Sequence, residues 1–202
     1  MNKADIFILC VEDDSVPVEA LAQFKNEISV DGLNVGFEKR QPLGPMACLE
    51  WFVVPVVLVY IAKSYFDGFL GEMGREHYHS LKKSLSELSS SVMKSPRIEP
   101  TLIGTEGKLT RSNPYSIAFS IMADAERGYK FKLLVPKGIS ESGCKLITNR
   151  FMEFLADYSS GLRDLEGIGC AWPGIHPPSN TIFVHYNVDK DAIEWLDERK
   201  FR

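Results

Sequence analysis

The spacing of apolar positions changes twice along the first forty residues. Ile6 to Val11 is a continuous apolar run of strand length, as expected of a buried strand. Val18, Leu21, Phe24 and Ile28 then recur at helical spacing, with Glu19, Gln23 and Asn26 on the other faces. Pro17 falls in the first turn of that helix, where no backbone donor is needed. Asp31-Gly32 ends it, and Leu33, Val35 and Phe37 alternate as a second strand. The pattern predicts a β-α-β opening, whose usual form is a parallel, right-handed crossover.

Trp51 to Ala62 is the most apolar stretch of the chain and carries no charge. Extended back to Leu43 it approaches the roughly 20 residues that a bilayer requires. Glu50 would then lie inside the span and Pro55 would interrupt it, so a buried core element is favoured over a membrane segment. A run buried on all sides has no period to separate helix from strand. The residues after it decide the reading: Tyr65, Phe66, Phe69, Leu70 and Met73 stand at helical spacing. The run is therefore read as a helix broken near Pro55, with a kinked continuation to about Gly71.

Arg75 to Met93 predicts a long amphipathic helix. His77 or Tyr78, Leu81, Leu85, Leu88 and Val92 line its apolar stripe, and Lys82, Lys83, Ser86 and Glu87 its wet face. Ser89 to Ser91 weaken its end, and Lys94 to Pro100 is polar with two prolines, a boundary signal. Beyond it, Tyr115 to Ala123 and Tyr129 to Val135 read as strands of a hairpin closing through Asp124 to Gly128. Ser140 or Ser142 caps a helix to Tyr158 with Leu146, Ile147, Phe151, Phe154 and Leu155 inward. Thr181 to Asn187 is a further strand. Asp189 or Asp191 starts a last short helix carrying Ile193, Trp195 and Leu196. The expected fold is α+β: an N-terminal β-α-β with long helices, residues 1–94, and a C-terminal antiparallel hairpin sheet with flanking helices, residues 95–202.

Composition changes this picture little. A chain of 202 residues, 45% hydrophobic and 25% charged, is that of an ordinary globular protein. A net charge of −4 argues against nucleic acid as partner and for a basic one. Cys10, Cys48, Cys144 and Cys170 are scattered without a Cys-x-x-Cys pair, which reads as buried free thiols in a reducing compartment. The N-terminal residues have neither a basic region nor a small-residue cleavage site, so a cytoplasmic location is expected.

No motif assembles a complete catalytic set. Ile8 to Asp14 resembles the first strand and acidic pair of response-regulator receiver domains, which hold magnesium beside a phospho-acceptor aspartate. Positions 50–60 contain no aspartate to serve as that acceptor, so the receiver reading is rejected. His77 and His79 point about 200° apart on a helix and cannot share an ion, although Glu72 or Glu76 is placed to join one of them. Gly138 to Cys144 lies where a nucleophile elbow would, but lacks Gly-x-Ser-x-Gly. A capped helix start accounts for its serines. No cofactor or metal ligand set is expected. Gly167 to Ser179 is a Gly/Pro loop presenting Trp172 and His176, residue types suited to recognition.

Size, acidity and mixed α+β build resemble bacterial immunity proteins, which neutralise a cognate toxin by capping its active site. The resemblance implies a basic toxin domain, such as a nuclease, met by the Glu12-Asp13-Asp14 turn, with Trp172 and His176 as further contacts. A small hydrolase-like enzyme with a site built from distant residues, and a membrane-associated regulator acting through residues 43–62, are the alternatives.

Overall fold

The computed structural model describes residues 4–11, 16–41, 55–69, 74–95, 114–170, 177 and 180–197. Its elements run in the order β1 (Ile6–Val11), α1 (Val18–Ile28), β2 (Val35–Arg40), β3 (Val57–Ile61), a π-helical turn (Tyr65–Phe69), α2 (Gly74–Lys94) and β4 (Phe119–Asp124). A 3₁₀ turn (Glu126–Gly128), β5 (Lys130–Leu133), α3 (Glu141–Ser159), β6 (Thr181–Asn187) and β7 (Ala192–Trp195) complete them. The strands form one seven-stranded sheet in the order β2-β1-β3-β4-β5-β6-β7. The expected mixed α+β architecture is present, including the parallel β1-α1-β2 opening and the antiparallel β4-β5 hairpin.

Val57–Ile61 of the central run form a strand and not a helix. Val57, Val59 and Ile61 point to one face and are fully buried, while Leu58 and Tyr60 point to the other and are partly exposed. Branched side chains fit a pleated, packed surface, and that preference outweighs the helical spacing downstream. Of the helical spacing after it, Tyr65–Phe69 form a short π-helical turn, and residues 70–73 lie outside the described residues. Residues 42–54 lie outside the described set, and among described residues no helix is long and apolar enough to cross a membrane. β3 pairs with β1 on one side and with β4, in parallel, on the other. The segments 1–94 and 95–202 therefore contribute to one sheet, not to a sheet each.

The three described α-helices lie side by side on the same face. Ser84 of α2 donates to Glu27 of α1 (2.5 Å), and Ser89 of α2 meets Thr148 of α3 (2.9 Å). Ile8, Val59, Ile121, Leu133 and Val184 of the strands and Phe24, Leu85 and Phe151 of the helices belong to one core beneath them. Ser86, Ser89 and Ser90, expected on the wet face or at a weak helix end, are buried. Their small side chains allow close helix approach, and Ser86 and Ser89 donate to Lys83 and Ser86 carbonyls. Val18 and Leu146, expected in the apolar stripes, are instead 64% and 43% exposed.

This arrangement fixes a feature of handedness. β1 and β2 run one way, β3 and β4 the other, and β5 and β6 the first way again. The step from β1 to β2 goes to one side of the sheet, whereas β3 to β4 and β5 to β6 go to the other. Reversing both direction and step keeps a crossover helix on the same face for a given hand. Reversing the step alone moves it to the opposite face. With α1, α2 and α3 on one face, the β5-α3-β6 crossover has the hand opposite to the first two, so at least one is of the rare left hand.

Two ends of the chain's second half show how local chemistry decides. Ser140 caps α3 by accepting from the Gly143 amide (3.1 Å), as its sequence predicts. Ser140→Ala is expected to cost about 1 kcal/mol, read as a lowered midpoint in thermal or urea unfolding with activity-independent detection by circular dichroism. The last element, by contrast, is a strand and not a helix. The Asn187 side chain accepts from the Asp189 and Lys190 amides (3.0 and 3.2 Å), and Asp191 takes a left-handed conformation (φ 47°). Those bonds close a tight turn that sends the chain back as β7 against β6.

Candidate functional site

The two ends of the β1–β2 pair differ. At the amino ends, the Asp5 carboxylate accepts from the Asn34 amide (3.1 Å) and Ser64 Oγ (2.5 Å), tying the chain closed. At the carboxyl ends an open cleft of about 260 Å³ lies between α1 and β2.

The cleft follows from the pairing. Phe37 stands opposite Ile8 and Lys39 opposite Cys10, so both side chains project to the helix face, at the margin that α1 covers incompletely. Leu21 and Val16 are buried in its floor with Cys10, whose thiol donates to the Val11 carbonyl (3.4 Å). Val18 and Phe37, 38% exposed, form its lips with Ala22. Lys25 sits over the Phe37 ring at 5.8 Å from its centroid, a cation–π contact. Lys25 and Lys39 are both exposed at the rim and form no ion pair among the described residues. The lining is apolar, with two ammonium groups at the mouth. It is equipped to hold an apolar group, and contains no paired acid and base among the described residues.

The five residues expected to contact a partner, Glu12, Asp13, Asp14, Trp172 and His176, lie outside the described residues. The acidic three fall between Val11 and Val16, both of which line the cleft. Sequence patterning missed the cleft itself: it placed Val18 and Phe37 in regular elements, and nothing local marks β2 as the outermost strand.

Other candidate chemistry resolves into structure. His77 is buried, with Nε2 donating to the Ile28 carbonyl (3.0 Å) and Nδ1 hydrogen-bonded to the Tyr65 hydroxyl (3.2 Å). A carbonyl only accepts, so Nε2 carries a proton in this geometry. The contact locks the last residue of α1 to α2 and to the π-helical turn. Burial also pushes the Tyr65 hydroxyl well above its ordinary pKa. His77→Leu breaks the hydrogen bonds to both of these buried partners and is expected to cost about 1–3 kcal/mol, measurable by urea unfolding. His79 and Glu76 are exposed, and no group of three or more metal-ligating side chains occurs among the described residues.

Cys144 is buried, its thiol directed at Ser89 Oγ (3.5 Å). Burial pushes its pKa up, the opposite of what an attacking thiolate needs. His185 faces Glu194 across the β6–β7 pair and meets Tyr115 edge-on. Burial lowers its pKa, with Glu194 opposing. Arg150 grips Asp191 through two nitrogens (2.9 and 2.6 Å) and also holds Glu153 (3.0 Å), while Tyr186 donates to Asp191 (2.6 Å). Those two donors hold the Asp191 carboxyl below the usual range and clamp α3 to the β6–β7 turn. Cys10, Cys144 and Cys170 are buried thiols outside any disulfide, as the sequence predicts.

Compared with known proteins, the chain matches no family model, no curated protein and no solved structure.

Proposed function

We propose that this chain is a non-catalytic, cytoplasmic binding protein of the toxin-neutralising immunity type, which meets its partner at the carboxyl end of the β1–β2 pair. The observation carrying this reading is the cleft there, with Val18 and Phe37 exposed around an apolar floor. Protein interfaces concentrate their energy in such central apolar sites, surrounded by a polar rim. The rim here includes exposed Lys25 and Lys39, and the sequence adds Glu12, Asp13 and Asp14 where β1 gives way to α1. The partner in this reading is a basic toxin domain, steered by the acidic turn and anchored by an apolar side chain, with Trp172 and His176 as further contacts.

The test begins with co-expression and pull-down of the product of the neighbouring gene. Association kinetics are then measured at two salt concentrations. Converting Glu12, Asp13 and Asp14 to Gln and Asn slows association about tenfold or more and leaves dissociation nearly unchanged. Raising salt mimics the substitution, because exposed charges are screened beyond about 8–10 Å near physiological ionic strength. Phe37→Ala acts on dissociation instead. Equal binding by the triple variant removes the acidic turn from the interface, and turnover of a small substrate by the purified chain refutes the binder reading.

A further inference from the structure

We infer that Asp31 is a site of spontaneous covalent modification, isomerising through a cyclic imide to isoaspartate, while the fold protects the same dipeptide at Asp67. This goes beyond the toxin-binding reading and does not depend on it.

The chain carries two Asp-Gly pairs, Asp31-Gly32 and Asp67-Gly68. Glycine after aspartate leaves the next backbone nitrogen unshielded by a β-carbon. That nitrogen attacks the aspartate Cγ: a C–N bond forms, and the amide proton and the carboxyl OH leave as water. Water then opens the five-membered imide. Attack at Cγ restores aspartate. Attack at the former peptide carbonyl breaks the original C–N bond and routes the main chain through the side chain, one carbon longer between α1 and β2. One water leaves and one returns, so mass is unchanged and no oxidant or cofactor enters.

The two sites differ in what holds their backbone. Asp31 and Gly32 are exposed at the centre of a β-turn in which the Leu33 amide donates to the Val30 carbonyl (3.2 Å) and Gly32 has φ 88°. A positive φ at the third position is what glycine supplies to such a turn. The turn's hydrogen bond engages Leu33, so the attacking Gly32 nitrogen stays outside it. A β-carbon built on Gly32 would meet nothing within 4 Å, which leaves room for the ring. Rotating Asp31 to bring Cγ onto that nitrogen disturbs the Val30–Leu33 bond and little else. Asp67 and Gly68 instead lie inside the π-helical turn Tyr65–Phe69, anchored by buried Tyr65 and Phe66. The Asp67 carboxylate also faces Lys63 (3.7 Å). The same rotation there has to unwind a packed turn, and a reaction that needs local opening is slowed by the cost of that opening.

The purified full chain is aged at neutral pH and physiological temperature. Its peptides are mapped by mass spectrometry with electron-transfer fragmentation, which separates isoaspartate from aspartate. Methyl transfer from S-adenosylmethionine by an isoaspartate methyltransferase gives an independent count. Isoaspartate is expected to form at position 31 about tenfold faster or more than at position 67. In urea sufficient to unfold the chain, the two sites react at similar rates. Asp31→Glu, which would need a larger ring, removes most of the methyl acceptance of the native chain. Equal rates at the two sites in the native chain, or reaction confined to position 67, overturn the inference. An Asp31 that stays intact in the native chain but reacts in urea does the same. A preference for position 31 that persists undiminished in urea removes the fold as its cause and overturns the protection of Asp67. No protein partner enters the experiment, so each result leaves the toxin reading to its own test.

Discussion

Val59→Asp removes a large part of the fold's stability at neutral pH. Val59 lies in the middle strand of the sheet's first half, between Ile8 of β1 and Ile121 of β4, and all three side chains are fully buried beneath the helix layer. An unpaired carboxylate there costs about 3–5 kcal/mol or more, against a total stability of about 5–15 kcal/mol for a domain. The effect has a direction in pH. Burial raises the folded-state pKa of the new carboxyl above its unfolded value near 3.9. The penalty is therefore fully present above the raised pKa and is relieved as pH falls through it towards the unfolded value. Urea unfolding monitored by circular dichroism checks both parts. A variant as stable as the parent at pH 7 would show that the strand's burial is not what holds the sheet. Val59→Asn, which cannot change charge, should show no recovery in acid.

Phe131→Ala is the second large effect, a loss of about 3–5 kcal/mol with the fold retained. Phe131 of β5 is fully buried and meets the rings of Phe154 and Tyr158 of α3 edge-on, at 5.1 and 4.9 Å between centroids. Removing the ring leaves a cavity where α3 sits on the sheet and discards two favourable aromatic contacts. Phe131→Leu keeps most of the volume and should cost much less. The denaturant slope stays constant in both cases, since the surface exposed on unfolding is nearly unchanged. A loss under about 1 kcal/mol for the alanine variant would mean that α3 collapses into the gap.

What the sequence reveals depends on how far a signal travels. Leu81, Leu85, Leu88 and Val92 announce α2 because a helix with one buried face imprints its own period. Ser140 announces the start of α3 because capping is a matter of three residues. Val57 to Ile61 announce burial without shape, since a run that is apolar at every position carries no period. Ile193 and Trp195 do alternate as a strand should, but the turn that makes β7 rests on the Asn187 side chain, while Asp189 and Asp191 suggest helix caps. Ser86, Ser89 and Ser90 look solvated until Thr148 and Cys144 arrive from α3, more than fifty residues later. The cleft is the hardest case. Val18 and Phe37 satisfy the patterns of core residues, and their exposure follows from β2 having a neighbour on one side only among the described strands. That is decided by where β3 enters the sheet, not by any residue near Phe37.

The strand order has a consequence for synthesis. Apart from β3 taking its place beside β1, each later strand adds next to the one made just before it, so the sheet grows in one direction as the chain emerges. Among the described strands, β2, complete within the first forty residues, is an edge from the moment it forms and is still an edge when β7 joins the far side. It must resist pairing with other nascent chains for that whole interval. Its last three residues, Glu38, Lys39 and Arg40, supply the resistance. Charged side chains on an outer strand discourage strand-to-strand association, and the Glu38–Arg40 pair (2.5 Å) neutralises itself without recruiting a neighbour. Replacing these charges would put the newborn protein at risk of aggregation before it altered the finished one.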